Sequence, residues 1–504
     1  MPRKLTIQVP VNRIEGDLEI RLEIHDNFVA DAWSSGIMYR GFENLLVGRG
    51  PLDGLVITPR ICGICSTAHL MAASQALEMI SGVNVPPGAA ALRNLAMMVE
   101  KIQSDMRHAF LMFAVDFANP VYGHLALYND AVKRYASFRG ETAAETIKET
   151  KKILEIIAII GGQWPHSSYM VPGGVTAFPS SGDLFQCRYL LSHFRSWYER
   201  RILGCPIERW LEVQNASEID SWLDESESHR TGELGFLISY GRKIGLDTMG
   251  GRGHGNFISF GVRSLSEGLH VAGERGCCRE SPAGFARGIQ VDGFDQRKIS
   301  EHIAHSWFRD YEGGRHPFDG ETQPHATGQE GIKYSWAKAP RYDDLPAETG
   351  PLSEMIIGGS PLFRDLVSRD GANVLSRELA RLVRPAELIL EMQEWLSSTS
   401  SDAAFYEPSD VTLDGRGFGL IEAARGALGH WVTLSDGKIA RYQIITPTAW
   451  NASPRDGSGT RGPWEEALIG TEIKDLSNPV EVGHVIRSFD ACLVCAVHAV
   501  SGRR

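Results

Sequence analysis

The 504 residues are 43% hydrophobic and 22% charged with a formal net charge of −11, an ordinary globular balance in a chain long enough for several domains or one large core. Without a dense Lys/Arg tract the chain offers no nucleic-acid surface, which needs clustered positive charge to displace counterions. No stretch of ~20 apolar residues could span a bilayer, and the start from Met1 to Ile7 shows neither an apolar signal region nor a twin-arginine signal, so a soluble, cytoplasmic protein is expected.

Residues 18–24, Leu-Glu-Ile-Arg-Leu-Glu-Ile, alternate as a half-buried strand. Asp26-Asn27 supplies a turn and 28–33 returns as a second strand, so a hairpin opens the protein. Apolar residues at helical spacing predict a helix over 67–80. Pro86-Pro87-Gly88 breaks the chain, and a long helix is predicted from 89 to about 115, ended by Asn119-Pro120. Two more helices are predicted over 121–138 and 141–160. In the latter, Glu145–Lys148 and Glu149–Lys152 offer surface pairs at i,i+3, and Gly161-Gly162 closes it. From 250 to 350 Gly and Pro become frequent, predicting loops and short strands. Helix returns over 373–396, and 431–445, with turn residues Asp436-Gly437, reads as another hairpin. The expected fold class is α+β and mainly helical: a bundle-like core of long helices with an N-terminal hairpin and flanks rich in strands and loops. No repeat, low-complexity tract or linker divides the chain, so 1–504 is read as one unit.

Chemistry concentrates in the cysteines. Of eight, Cys62 and Cys65 form one C-x-x-C and Cys492 and Cys495 another. Two such pairs make a four-thiolate site suited to soft or borderline metals. Cys187, Cys205, Cys277 and Cys278 fall in no such pattern and read as packing cysteines or surface thiols. A structural zinc site is the plain alternative for four cysteines in two pairs. Against it, zinc ribbons and fingers keep their pairs within one small unit, whereas these pairs lie at opposite ends of the chain. Each pair is also preceded by Arg60 or Asp490 and followed by His69 or His498, the kind of support that a reactive thiolate cluster needs and a closed structural site does not.

Arg60-x-Cys-x-x-Cys-x-x-x-His69 and Asp490-x-Cys-x-x-Cys-x-x-His498 resemble the paired signatures of nickel–iron hydrogenase large subunits. The resemblance runs along the chain in order: Arg13-Ile-Glu15-Gly16, Arg40-Gly-Phe-Glu43, Pro165-His166 with Val171-Pro-Gly-Gly-Val175, Ser335-Trp-Ala-Lys-Ala-Pro-Arg-Tyr342 with Gly350-Pro-Leu352, Arg425-Gly-Ala-Leu-Gly-His430, and Thr446-Pro-Thr-Ala-Trp-Asn451. Two departures remove backbone stiffness: Ala491 and Ala424 stand where the family usually has proline. Asp17 after Arg-Ile-Glu-Gly resembles the cytoplasmic uptake and sensory branch.

The resemblance implies a catalytic subunit that cleaves dihydrogen heterolytically and passes electrons to a small iron–sulfur subunit. It implies a Ni–Fe centre whose iron carries carbon monoxide and cyanide, with Cys62 and Cys492 as terminal nickel ligands and Cys65 and Cys495 bridging. Glu15 would accept the proton beside Cys492. Arg425 would hang over the metals, held by Asp105 and Asp490, and His69 would hydrogen-bond a bridging sulfur. Glu43, the Ile444 carbonyl and His498 would hold magnesium. Maturation factors, an oligomer of heterodimers and room for peripheral membrane association are implied too. Read singly, each residue has a plainer role: Glu15 a surface carboxylate, Arg425 a helix-end ion pair, His69 a packed ring, Glu43 a helix-start charge. Three readings stay open: a hydrogen-oxidising enzyme, a hydrogen sensor of the same fold, and a structural zinc protein or metal-free relative such as the quinone-site subunit of respiratory complex I. The short segment Ala499–Arg504 after His498 is expected to remain on the active protein.

Overall fold

The computed structural model describes residues 4–14, 16–251, 253–261, 282–328, 331–399 and 404–492. Its centre is a set of long helices, α1 (Ser66–Ser81), α2 (Pro87–Arg107), α3 (Glu141–Gly161), α4 (Ser181–Trp197) and α5 (Val374–Ser398). Helix α2 packs on α3 and α5, and α4 on both of those. Helix α2 is buried on nearly every face, charged residues included. A helix without a solvent face has to pair its charges internally, as when Lys101 binds Glu354 at 2.9 Å and Asp105 binds Arg384 at 2.7 Å. Helix α5 starts on a capping box, in which the Asn373 side chain accepts from the Ser376 N–H and the Ser376 side chain accepts from the Asn373 N–H.

Of three three-stranded antiparallel sheets among the described residues, two bear on the site. The N-terminal one contains the predicted hairpin, β2 (Leu18–His25) and β3 (Phe28–Gly36), with β1 (Lys4–Pro10) added at its edge. The second contains the predicted C-terminal hairpin, here β5 (Gly426–Ser435) and β6 (Lys438–Ile445), with β4 (Gly415–Ala423) beside β5. Strand β4 lies directly on α1. A Cβ at Gly417 would come within 2.1 Å of the Ala76 carbonyl oxygen, and one at Gly419 within 2.0 Å of that of Ala72. Alternate glycines therefore let strand and helix backbones touch. A last helix, α6 (Val480–Ser488), leads into the C-terminal cysteine pair.

Three local expectations are corrected. The long helix predicted from 89 to about 115 ends as α-helix at Arg107 and continues as a π turn, His108–Phe113, and a 3-10 turn, Ala114–Ala118. The helix predicted over 121–138 is only Tyr128–Tyr135. Asn119 accepts from the Val121 N–H and holds Pro120–Tyr122 in a 3-10 turn instead. Glu145 pairs with Arg201 at 3.4 Å, a neighbour brought by tertiary packing, whereas Glu149–Lys152 forms at 3.6 Å as expected. Helices over 181–244 were not signalled by the pattern. The apolar core runs continuously from Val11 to Cys492 and includes Cys187 and Cys205; Cys277 and Cys278 lie outside the described residues.

Candidate metal centre

The first cysteine pair sits in the turn leading into α1, and that turn is held through its carbonyls. Arg40 donates to the Ile61 oxygen at 2.5 Å and the Arg60 oxygen at 3.0 Å. His166 reaches the Pro59 oxygen through Nδ1 at 2.9 Å, and its N–H donates to Ser66 Oγ at 3.2 Å. Glu100, from α2, accepts from the N–H groups of Thr67 at 2.9 Å and Ala68 at 3.1 Å, capping α1 from outside. Within the turn the Ile64 N–H donates to Cys62 Sγ at 3.3 Å.

The second pair is held by the motif that begins at Thr446. Thr446 caps the short helix Pro447–Asn451, and Thr448 Oγ1 accepts from the Cys492 N–H at 3.2 Å. Asn451 clasps Thr349 through both its backbone groups, at 3.0 and 2.8 Å. Thr349 in turn accepts from the Ala427 N–H at 2.8 Å. Gly426 has φ +123°, and a Cβ there would sit 2.3 Å from Thr349 Oγ1, so only glycine follows Arg425 without displacing this clasp.

The two ends of the chain meet. Cys62 Sγ and Cys492 Sγ lie 3.6 Å apart, separated by 430 residues in sequence. Both are buried. The separation far exceeds a disulfide's ~2.05 Å and suits two thiolates sharing one metal, whose sulfurs at ~2.3 Å from a tetrahedral ion stand about 3.8 Å apart. Among the described residues no third His, Cys, Asp or Glu gathers at the same point; Cys495 lies outside them. Near the pair stands Arg425, 6% exposed, with Nε 3.0 Å from Asp490 Oδ1. Burial works against its charge, but Asp490, then Cys492, Cys62 and Cys65, hold its pKa well above the ordinary value. Asp490 is held well below the carboxylate range despite burial, by Arg425 and then His108. Arg425 Nη1 is buried and has no hydrogen-bond partner among the described residues. A buried donor left over beside paired thiolates fits a bound anionic or polarisable group, which a metal centre supplies.

Asp105 does not hold Arg425. It forms a two-pronged pair with Arg384 of α5, at 2.9 and 2.7 Å. Arg384 also donates to the Ala424 oxygen at 2.6 Å, so Asp105 acts on the residue before Arg425, and this tether stands where a proline would otherwise stiffen the chain. His69, fully buried on the first turn of α1, has Nδ1 3.0 Å from Nε2 of His430, whose own Nδ1 is 2.9 Å from the Tyr442 hydroxyl. Burial, then His69, keeps His430 well below its ordinary pKa.

The N-terminal motif is anchored close by. Arg13 and Arg487 both bind Asp116, Arg487 at 2.5 Å, and Arg487 donates to Asn12 Oδ1 at 2.7 Å. Arg487 lies three residues before Asp490, so this clasp ties the start of the chain to the end of α6. Glu15 itself lies outside the described residues. At the expected hard-metal site, Glu43 is buried, accepts from the Ile444 N–H at 2.9 Å, bonds the Thr322 hydroxyl and has Lys338 at 3.4 Å. His498 lies outside the described residues. Sequence reading assigned no role to Lys338 or Glu301, which pair at 3.4 Å; the Ser335–Tyr342 motif signalled Lys338 alone.

The family described as nickel-dependent hydrogenase matches residues 40–138 and 246–498, well over half of the chain. The chain belongs to that family. The match includes all four paired cysteines, Glu43, Asp105, Arg425, Asp490 and His498, and leaves out Glu15. The chain is 32% identical to the periplasmic [NiFeSe] hydrogenase large subunit of Desulfomicrobium baculatum, over 97% of this chain and 94% of that one. It is 28% identical to the uptake hydrogenase large subunit of Rhizobium leguminosarum bv. viciae, over 98% and 94%. The fold is that of the Ni-Fe-Se hydrogenase of D. vulgaris Hildenborough, with TM-score 0.82, 29% identity, and 98% and 100% of the two chains covered. The expected α+β, mainly helical class and the resemblance to hydrogenase large subunits both hold. Unlike a selenium-containing site, the four paired positions of this family member are all cysteine. Among the described residues, no helix is long and apolar enough to cross a membrane.

Proposed function

We propose that this chain is the large, catalytic subunit of a nickel–iron hydrogenase, with Cys62, Cys65, Cys492 and Cys495 holding the metals. The observation that carries the reading is the approach of one cysteine from each C-x-x-C, Cys62 and Cys492, 3.6 Å between sulfurs, with the buried Arg425–Asp490 pair nearby. When bound, a Ni–Fe centre whose iron carries carbon monoxide and cyanide supplies heterolytic cleavage of dihydrogen. The chain's own residues do the rest. Arg425 presents a fixed cation to the thiolates in a water-excluded site, where preorganised charge acts strongly. Asp490 orients that cation. The Cys492 thiolate would hold the proton, and Glu15 would take it onward. His69 would turn an imidazole toward a ligand sulfur while His430 fixes its other nitrogen. Glu43, the Ile444 carbonyl and His498 would hold magnesium, a carboxylate and carbonyl set that suits a hard cation.

Electrons leave to a small iron–sulfur subunit, because this chain has no cysteines left in a cluster pattern. We place the protein in the cytoplasm on the strength of Asp17, which fractionation of the source cells would check. The deciding measurement is metal analysis with infrared spectroscopy on protein made with its partner subunit and maturation factors. Nickel, iron and the bands of metal-bound carbon monoxide and cyanide are expected. Zinc alone, without those bands, would overturn the reading.

A further inference from the structure

His108 opens the π turn that continues α2 and is buried. Its two ring nitrogens face two carboxylates. Nδ1 stands 3.0 Å from Asp490 Oδ1 and Nε2 stands 3.2 Å from Glu378 Oε1. An ionised carboxylate only accepts hydrogen bonds, and a neutral imidazole has a single N–H. A neutral ring would therefore set a lone pair against one of the two oxygens, with all three groups buried. The doubly protonated ring satisfies both contacts.

The charged neighbours bear this out. Burial, the largest influence, opposes the added proton, as does Arg381, while Asp490 and Glu378 favour it, and the balance raises the pKa of His108. Arg381 of α5 donates to Glu378 Oε1 at 2.8 Å and to the Ser488 oxygen at 3.0 Å, so the outer end of the chain of contacts is itself anchored. The inner end is Asp490, a residue with φ +57° between the end of α6 and Cys492. Its Oδ1 lies 3.0 Å from Arg425 Nε and 3.0 Å from His108 Nδ1, an ion-pair distance to each.

We propose that His108 is a positioning residue: its imidazolium, braced by Glu378 and Arg381, fixes the Asp490 carboxylate and thereby sets the direction of the Arg425 guanidinium over the thiolates. Loss of its ring proton lets the Asp490 side chain turn, and Arg425 turns with it. The inference rests on the reading of the site as a hydrogen-cleaving centre. The imidazolium is present below the pKa of the folded protein and is lost as pH rises through it. Removing the charge of Glu378 lowers that pKa, so the brace then fails at lower pH.

The test uses wild type, Glu378→Gln and His108→Gln, each purified with its small subunit, with nickel content, the KM for hydrogen and uptake rates measured across pH. For Glu378→Gln, which changes a group not in contact with Asp490, full nickel content is expected, with KM within about twofold, turnover down about 3- to 10-fold, and the alkaline limb of the pH profile displaced to acid by about one unit or more. For His108→Gln the turnover is expected to be low and the limb absent, because an amide does not titrate. Wild-type turnover and an unmoved alkaline limb in Glu378→Gln would overturn the inference alone. So would a loss of turnover that merely tracks loss of nickel. A wild-type protein that takes up no hydrogen would overturn the functional reading and the inference together.

Discussion

A guanidinium as deeply buried as that of Arg425 costs several kcal/mol in lost hydration unless anions answer it. Asp490 answers at Nε, and the charges of Cys492, Cys62 and Cys65 add to it. Lysine at this position would keep the charge but lose the planar fork that matches both partners. Arg425→Lys is therefore expected to retain nickel while hydrogen uptake falls about 100-fold, the scale set by removing one preorganised donor from a reacting site. Glu15→Gln keeps the shape of the side chain but cannot ionise. Uptake should drop severely with nickel content unchanged, and near wild-type rates in that variant would show that the proton leaves by another route. At this scale the sequence told most about residues bound into short motifs. Asp105 is the counterexample: its partner Arg384 lies 279 residues away, and no local pattern announces a pair formed across two packed helices.

Between residue and molecule, the contact of β4 with α1 decides how firmly the first cysteine pair is held, since α1 begins at Ser66, directly after Cys65. Gly419→Ala would put a methyl group 2.0 Å from the Ala72 oxygen. Such overpacking costs ~1–3 kcal/mol. It should lower the thermal midpoint by several degrees and reduce nickel retention, both measured on the same preparation. The run Gly415-Arg-Gly-Phe-Gly419 held this signal, and its weak strand propensity hid it. Helix α6 carries a different liability. His484 is fully buried with Nε2 3.0 Å from the Tyr122 hydroxyl, and burial lowers its pKa from 6.5 to about 4. The unfolded chain takes up that proton below pH 6.5 and the folded one only near pH 4. Stability is thus full above 6.5 and lost as pH falls towards 4, by roughly 3 kcal/mol. In His484→Gln, urea unfolding at about pH 7.5 and about pH 4.5 should show that acid loss reduced by this amount.

For the whole molecule, the long helices and both hairpins were legible because their apolar periods are strong, as in Leu18–His25 and Val374–Ser398. The added strands β1 and β4 and the helices over 181–244 were not, because short elements take their stability from neighbours distant in sequence. The meeting of Cys62 with Cys492 follows from no local rule at all. It was legible only as a resemblance, and the core that runs from Val11 to Cys492 is its physical cause. Metal bound at that meeting point favours only the folded chain. Nickel-loaded protein should therefore melt ~5 °C or more above protein stripped of metal, by calorimetry. After stripping, alkylation and mass analysis should find Cys62 and Cys492 modified together, with Cys187 spared. The thiol of Cys187 is pushed up to about 12 by burial and stays unreactive.

The 430 residues between the facing sulfurs are also an interval of time. A ribosome adds roughly 5–20 residues each second, so Cys62 emerges roughly 20–90 s before Cys492. Throughout that wait the first pair is a bare dithiol, open to oxidation and to any zinc in reach. Birth order therefore sets a chemical deadline. The cell has to keep the older half of the cage reduced and empty until the younger half exists to close it.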